Sequence, residues 1–154
     1  MHIHTHTGAI ALPRSFFGPG TRGIFLDNVQ CLGNESSLVN CIHVRDPTFC
    51  FHFEDASVLC PCEWLSGGDT VCLLFSSSFV PSTAENASQV CQNGALRLVG
   101  GSVPYEGNVE VCFNGQWGTI CHDRWDIFDA QTVCKILVNA SEGTWCAHKV
   151  HMLS

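Results

Sequence analysis

The sequence predicts a small, disulfide-rich α+β domain, and three observations carry that reading. First, 11 of the 154 residues are cysteine. That density belongs to an oxidising compartment, where bridges supplement a small core. Second, Gly107 to Cys134 reads GNVEVCFNGQWGTICHDRWDIFDAQTVC, a strand pattern that gives way to a helical one. Third, 45% of the residues are hydrophobic and only 14% charged, which is enough apolar material for a core and argues against disorder.

In chain order, MHIHTHTGAIALP is read as an unstructured leader over residues 1–13. His2, His4 and His6 would share one face of a strand and could hold a metal, but terminal histidines are ordinarily solvated. The leader has no basic start followed by an apolar core, and the longest apolar run, Val71 to Val80, is interrupted by serines. Neither a signal peptide nor a membrane span is expected. A disulfide protein must still reach the secretory route, so the chain reads as part of a longer parent that carries the signal.

Gly18-Pro19-Gly20 marks a turn, and Ile24 to Val29 a strand entering Cys31. Asn34-Glu35-Ser36-Ser37 offers capping oxygens to a short helix ending near Cys41, and the Cys31 to Cys41 spacing favours a local bridge. Cys50 and Cys60 flank HFEDASVL, whose apolar alternation suggests a last strand. Residues 61–90 are rich in serine, glycine and proline and read as a linker. Val109, Val111 and Phe113 alternate with Glu110 and Cys112; Asn114-Gly115 is a strong turn signal, and Gln116 to Ile120 is a second strand. Ala130, Val133, Cys134 and Leu137 then fall on one helical face, with Asp126 as N-cap and Asp129 in the first turn. Residues 139–154 are read as a frayed tail.

LRLVGG at 96–101 and EGNVEVCFNGQWGTICHDRWDIFDAQTVCKIL at 106–137 resemble the opening half of a scavenger receptor cysteine-rich domain. FGPGTRGIFLDNVQCLGNESSLVNC at 17–41 and HFEDASVLC at 52–60 resemble its closing half. The halves, 14–60 and 91–138, therefore stand in reversed order, as in a slice across the boundary between two tandem domains. The resemblance implies a curved antiparallel sheet cradling one α-helix. If both halves dock within this chain, residues 61–90 join the family's natural ends, and the result is a circular permutant.

The resemblance also implies bridges Cys31–Cys41, Cys50–Cys121 and Cys60–Cys134. An extra pair found in some members points to Cys91–Cys112, which antiparallel pairing of residues 95–99 with 109–113 would bring within range. Cys62, Cys72 and Cys146 receive no partner, and Val138 replaces a family glycine.

Ligand binding in this family is often calcium dependent. Carried over, the calcium ligands are Asp123 and Glu54, with Asp27 as a further ligand; carboxylate oxygens suit Ca²⁺. His122 stands where the first aspartate of the usual pair would be, which weakens calcium affinity and opens the site to a softer metal. The alternative is that Asp123 and Glu54 are surface acids, with Arg124 as an ion-pair partner. Asn34, Asn86 and Asn139 head Asn-x-Ser glycosylation sequons. No catalytic residue is assigned: Gly100-Gly101-Ser102-Val103-Pro104 lacks the last glycine of a nucleophile elbow, and Cys60-Pro61-Cys62 has no second pair to complete a zinc site.

A net charge of −7 without a basic cluster argues against nucleic acid. The expected function is a non-catalytic extracellular recognition module. Its partners would be polyanionic or microbial surface ligands or other proteins, met in innate immunity by a secreted or membrane-anchored parent. The alternatives are an accessory module of a secreted protease or oxidase, and a structural fragment from an incomplete gene model.

Overall fold

The computed structural model describes residues 9–60, 63–65, 69–73, 90–103, 105–140 and 145–147. Strands β1 (Ile10–Leu12), β2 (Ile24–Gln30), β3 (Ile42–Arg45) and β4 (Ser57–Leu59) come from the first half of the chain. Strands β7 (Leu96–Gly100), β8 (Glu106–Phe113) and β9 (Gln116–Ile120) come from the second, followed by helix α1 (Ile127–Ala140). All seven strands share one sheet, ordered β1-β4-β8-β9-β2-β3, with β7 on the other edge of β8. The two halves are therefore interleaved rather than side by side.

β8 organises the sheet. Its first residues pair with β4 through Asn108↔Ser57, its last with β9 through Cys112↔Trp117, and β7 lies antiparallel along its opposite edge. Asn114 and Gly115 both have positive φ, 50° and 76°, as the two-residue hairpin turn between β8 and β9 requires. One pairing departs from the expected antiparallel sheet: β2 runs parallel to β9, with Ile24↔Thr119 and Leu26↔Ile120. The two strands belong to different halves, so no hairpin dictates their relative direction.

The sheet curls over α1, which touches β1, β2, β4 and β7. Ala130, Val133, Cys134 and Leu137 form its buried face, against Leu26, Val58, Val109, Val111 and Ile120 from the strands. On the other face of β8, buried Glu110 accepts from Arg97 Nε at 2.6 Å, and the Arg97 guanidinium lies 4.4 Å over the Trp117 ring. The helix start is a reciprocal cap. Asp126 Oδ1 accepts from the Phe128 N–H at 2.8 Å, while Asp129 Oδ2 accepts from the Asp126 N–H at 2.8 Å. Asp129 Oδ1 also accepts from the Cys31 N–H at 2.8 Å, tying the helix to the first half.

Among the described residues, four bridges join Cys31–Cys41, Cys50–Cys121, Cys60–Cys134 and Cys91–Cys112. Two of them cross between the halves. Trp125, packed at the core edge, donates its Nε1–H to the Ser57 carbonyl at 3.1 Å.

Several local expectations change. Ile10–Leu12, assigned to an unstructured leader, pairs with β4 through Ala11↔Val58; a short apolar run covers an edge that would otherwise expose unpaired backbone. The short helix before Cys41 is one 3-10 turn, Leu38–Asn40, without a side-chain cap from Ser37. Glu35 instead gathers the N–H groups of Leu32, Gly33 and Asn34 and the Thr132 hydroxyl. HFEDASVL is not one strand: His52–Glu54 is a 3-10 turn and only Ser57–Leu59 is extended.

Within the presumed linker and tail, β5 (Glu63–Leu65), β6 (Asp69–Leu73) and β10 (Trp145–Ala147) make a second sheet, ordered β10-β6-β5. The overall serine and glycine content of that region masks two short β-prone runs, Trp64-Leu65 and Thr70-Val71-Cys72-Leu73, separated by turn-forming residues. Residues 1–8 and most of 74–90 lie outside the described residues, and with them His2, His4, His6 and Asn86.

Candidate functional site

Three chain segments meet where β9 ends. The Cys121 N–H donates to the Leu26 carbonyl at 2.8 Å, which sets Asp27 beside it; the next amide, His122 N–H, donates to the Glu54 carbonyl at 2.7 Å. The Cys50–Cys121 bridge fixes the same junction covalently. A tight turn follows, closed by the Trp125 N–H on the His122 carbonyl at 2.8 Å, with Arg124 at φ 62°. In consequence, Glu54, His122 and Asp123 place one ligand atom each within 4.8 Å of one another, and Asp27 and Asp123 are within the same reach of each other. Cys121 Sγ lies near this group but is committed to its bridge.

Each donor has a local reason for its position. Asn28, at φ 52°, sits in a register break of β2 between Asp27 and Gln30, and its N–H donates to Asp27 Oδ1 at 2.6 Å. Such a bulge turns a side chain out of the ladder. Glu54 closes the turn 52–54, its Oε2 accepting from the Phe51 N–H at 3.0 Å. That turn rests on a buried polar network. Asp55 is fully buried, accepts from the Gly20 N–H at 2.7 Å, and has His52 Nδ1 3.1 Å from Oδ2. The Ser15 hydroxyl donates to the His52 carbonyl and accepts from the Asp55 N–H at 3.1 Å.

Asp27 is only 8% exposed. Burial, and then the charges of Asp123 and Glu54, hold its carboxyl above the ordinary aspartate range, against the opposing pull of the Asn28 N–H and His122. Asp123 does not pair with Arg124, whose guanidinium turns to Gln30 Oε1 at 3.4 Å. Among the described residues, no lysine or arginine forms an ion pair with Asp27, Glu54 or Asp123. Asp123 is thus within ligand reach of both Asp27 and Glu54, and His122 within reach of Glu54 and Asp123. Beside Glu54 stand exposed Phe49, Phe51 and Phe53, the last two stacked with centroids 5.5 Å apart.

The sequon asparagine Asn34 is exposed, and Asn139 falls in the last turn of α1. Sequence reasoning did not foresee the Asp55–His52–Gly20 network or the reach of Asp129 to Cys31. The Asp126-x-x-Asp129 spacing was the available signal for the cap, but nothing local announces a contact 98 residues away.

The family model for the scavenger receptor cysteine-rich domain matches residues 3–61 and 99–152. A scavenger receptor cysteine-rich domain superfamily protein of Patiria pectinifera is 40% identical over 131 residues, which are 84% of this chain and 9% of that protein. Lysyl oxidase homolog 2 of Homo sapiens is 33% identical over 147 residues, 90% of this chain and 16% of that protein. The chain therefore spans less than a fifth of the length of these relatives. No solved structure matches it.

Proposed function

This chain belongs to the scavenger receptor cysteine-rich domain family, and from that premise we propose that it is a recognition module binding polyanionic, microbial or protein ligands through a cation-bridged acidic site. Such a domain is non-catalytic, and one this rich in disulfides is extracellular. Among the described residues, no helix is long and apolar enough to cross a membrane. The observation that supports the proposal is that Asp123 lies within ligand reach of both Asp27 and Glu54, with no lysine or arginine among the described residues paired to any of the three. Gathered carboxylates repel one another, and a bound divalent cation removes that penalty. A cation held at the surface keeps coordination positions for an anionic group on a ligand, and the Phe51–Phe53 stack supplies an apolar rim for a protein partner.

Binding of a sulfated polysaccharide to the immobilised, oxidised chain tests this reading. Retention should need a divalent cation, fall on chelation, and be lost with Asp123→Asn combined with Glu54→Gln. Retention indifferent to both chelator and substitutions would overturn it. The match to lysyl oxidase homolog 2 favours a second reading, an accessory module that positions a secreted oxidase on its partner. In that case the same surface would capture a protein rather than a polysaccharide.

A further inference from the structure

We propose that Cys72 and Cys146 form a fifth disulfide, which staples the second sheet and covalently joins the segment before the second half, 91–138, to the segment after it. The two residues are register partners in the antiparallel pairing of β6 with β10, flanked by Trp145↔Leu73 and Ala147↔Val71. Directly opposed residues of an antiparallel pair have Cα atoms about 4.5 or 5.5 Å apart, according to whether the pair is hydrogen-bonded. Both separations lie inside the range that a disulfide spans. The four bridges of the main sheet hold their Cα atoms between 4.7 and 6.2 Å apart, so such a separation is already in use in this chain.

Eight of the 11 cysteines are committed to those four bridges, which leaves Cys62, Cys72 and Cys146. An odd number cannot pair completely within one chain, so at most one further bridge forms among them. Cys62 is the competing partner: β5 pairs with β6 from Glu63↔Val71, and one more step of that register would set Cys62 opposite Cys72. Cys62 lies outside the described residues, whereas Cys146↔Cys72 has a matched pair on each side of it. The second sheet also needs a tie at β10. Its strands have 3, 5 and 3 residues, and the chain between β6 and β10 contains the whole second half, so no tight turn sets the register. A Cys72–Cys146 bridge supplies that tie, while a Cys62–Cys72 bridge would fasten only β5 to β6, already joined through residues 66–68. Formation is a thiol–disulfide exchange with an oxidised dithiol carrier of the secretory route. One cysteine thiolate attacks the carrier's disulfide to give a mixed disulfide, and the second displaces the carrier. The two cysteines lose two electrons and two protons, and the carrier leaves as two thiols.

The test uses the full, oxidised, monomeric chain, alkylated with N-ethylmaleimide in denaturant without reduction, cleaved after lysine, arginine and glutamate, and mapped by mass spectrometry. Glu63 separates Cys62 from Cys72, and Lys135 and Glu142 separate Cys134 from Cys146, so each linkage gives a distinct mass. The peptide of Cys72 should be joined to that of Cys146, with N-ethylmaleimide on Cys62 alone. In Cys62→Ser the linkage should persist, and the thiol titre should fall from one to zero. A Cys72 peptide joined to the peptide of Cys60 and Cys62 would sink the assignment, as would N-ethylmaleimide on both Cys72 and Cys146. A titre of two in Cys62→Ser would do the same.

Discussion

Cys50 and Cys121, 71 residues apart in sequence, are covalently joined, and one residue beyond the bridge the His122 N–H closes on the Glu54 carbonyl at 2.7 Å. Fold and candidate site thus share one junction. A contact that holds the two halves of the chain together also sets the spacing of the side chains of the candidate site.

The two cross-half bridges overlap in sequence, and this limits what each contributes. Alone, the Cys60–Cys134 bridge would close a loop of 74 residues in the unfolded chain, a constraint of about 4 to 5 kcal/mol. With Cys50–Cys121 intact, removing it frees a loop of only roughly 25 residues, so Cys60→Ser with Cys134→Ser should cost about 3 to 4 kcal/mol. Urea unfolding measures this. Peptide mapping without reduction should recover the peptides of Cys50 with Cys121 and of Cys60 with Cys134; their absence would remove the interleaved fold.

Stability should fall as pH rises from about 4 to about 7, because of Asp129. Burial, reinforced by nearby Asp126, pushes its carboxyl up from 3.8 to about 7, although N–H groups of Asp126 and Cys31 oppose the shift. The folded protein therefore holds a proton that the unfolded chain releases at lower pH. Between about pH 4 and about pH 7 folding takes up that proton, so stability declines across this window and levels off above it. Carboxyl ¹³C NMR should place the Asp129 midpoint near 7. A midpoint near 4 would refute the assignment, and a flat urea midpoint across the window would refute its consequence.

Gly107 is required where β8 lies between β4 and β7, opposite Val58 on one side and Gly100 on the other. Its φ is 155°, and an added Cβ would come to 2.7 Å from the Val99 carbonyl oxygen and 2.8 Å from its nitrogen. Both are backbone atoms held in the β7–β8 ladder, so they cannot step aside cheaply. Gly107→Ala should destabilise by about 1 to 3 kcal/mol. Full stability in a thermal melt would show that the strand relaxes around the methyl.

Leu26 has no exposed surface and is the register partner of Ile120 in the parallel pairing between the halves. Leu26→Ala should cost about 2 to 5 kcal/mol by lost burial and residual cavity. Because the Leu26 carbonyl also holds the Cys121 N–H, the substitution should perturb Cys121 and His122 amide shifts as well. Unchanged shifts there would separate core packing from site geometry.

The sequence by itself determined the local elements whose causes lie within a few residues. Asn114-Gly115 dictates the hairpin, the spacing of Ala130, Val133, Cys134 and Leu137 dictates the buried helix face, and Asp126 caps its start. The density of cysteines likewise set the oxidising context. The carboxylates of the site could be named only because the chain resembles a family, since Asp27, Glu54 and Asp123 carry no common local motif.

Tertiary structure decided everything that depends on segments far apart in sequence. It set the parallel direction of β2 against β9, the service of Ile10–Leu12 as an edge strand, and the reach of Asp129 to Cys31. It also brought Asp27 against Asp123 with Arg124 turned away. The physical reason is common to all of these. Backbone propensity acts over a few residues, whereas the partner of an edge strand or a buried carboxylate is chosen by what packing brings near once the core has closed.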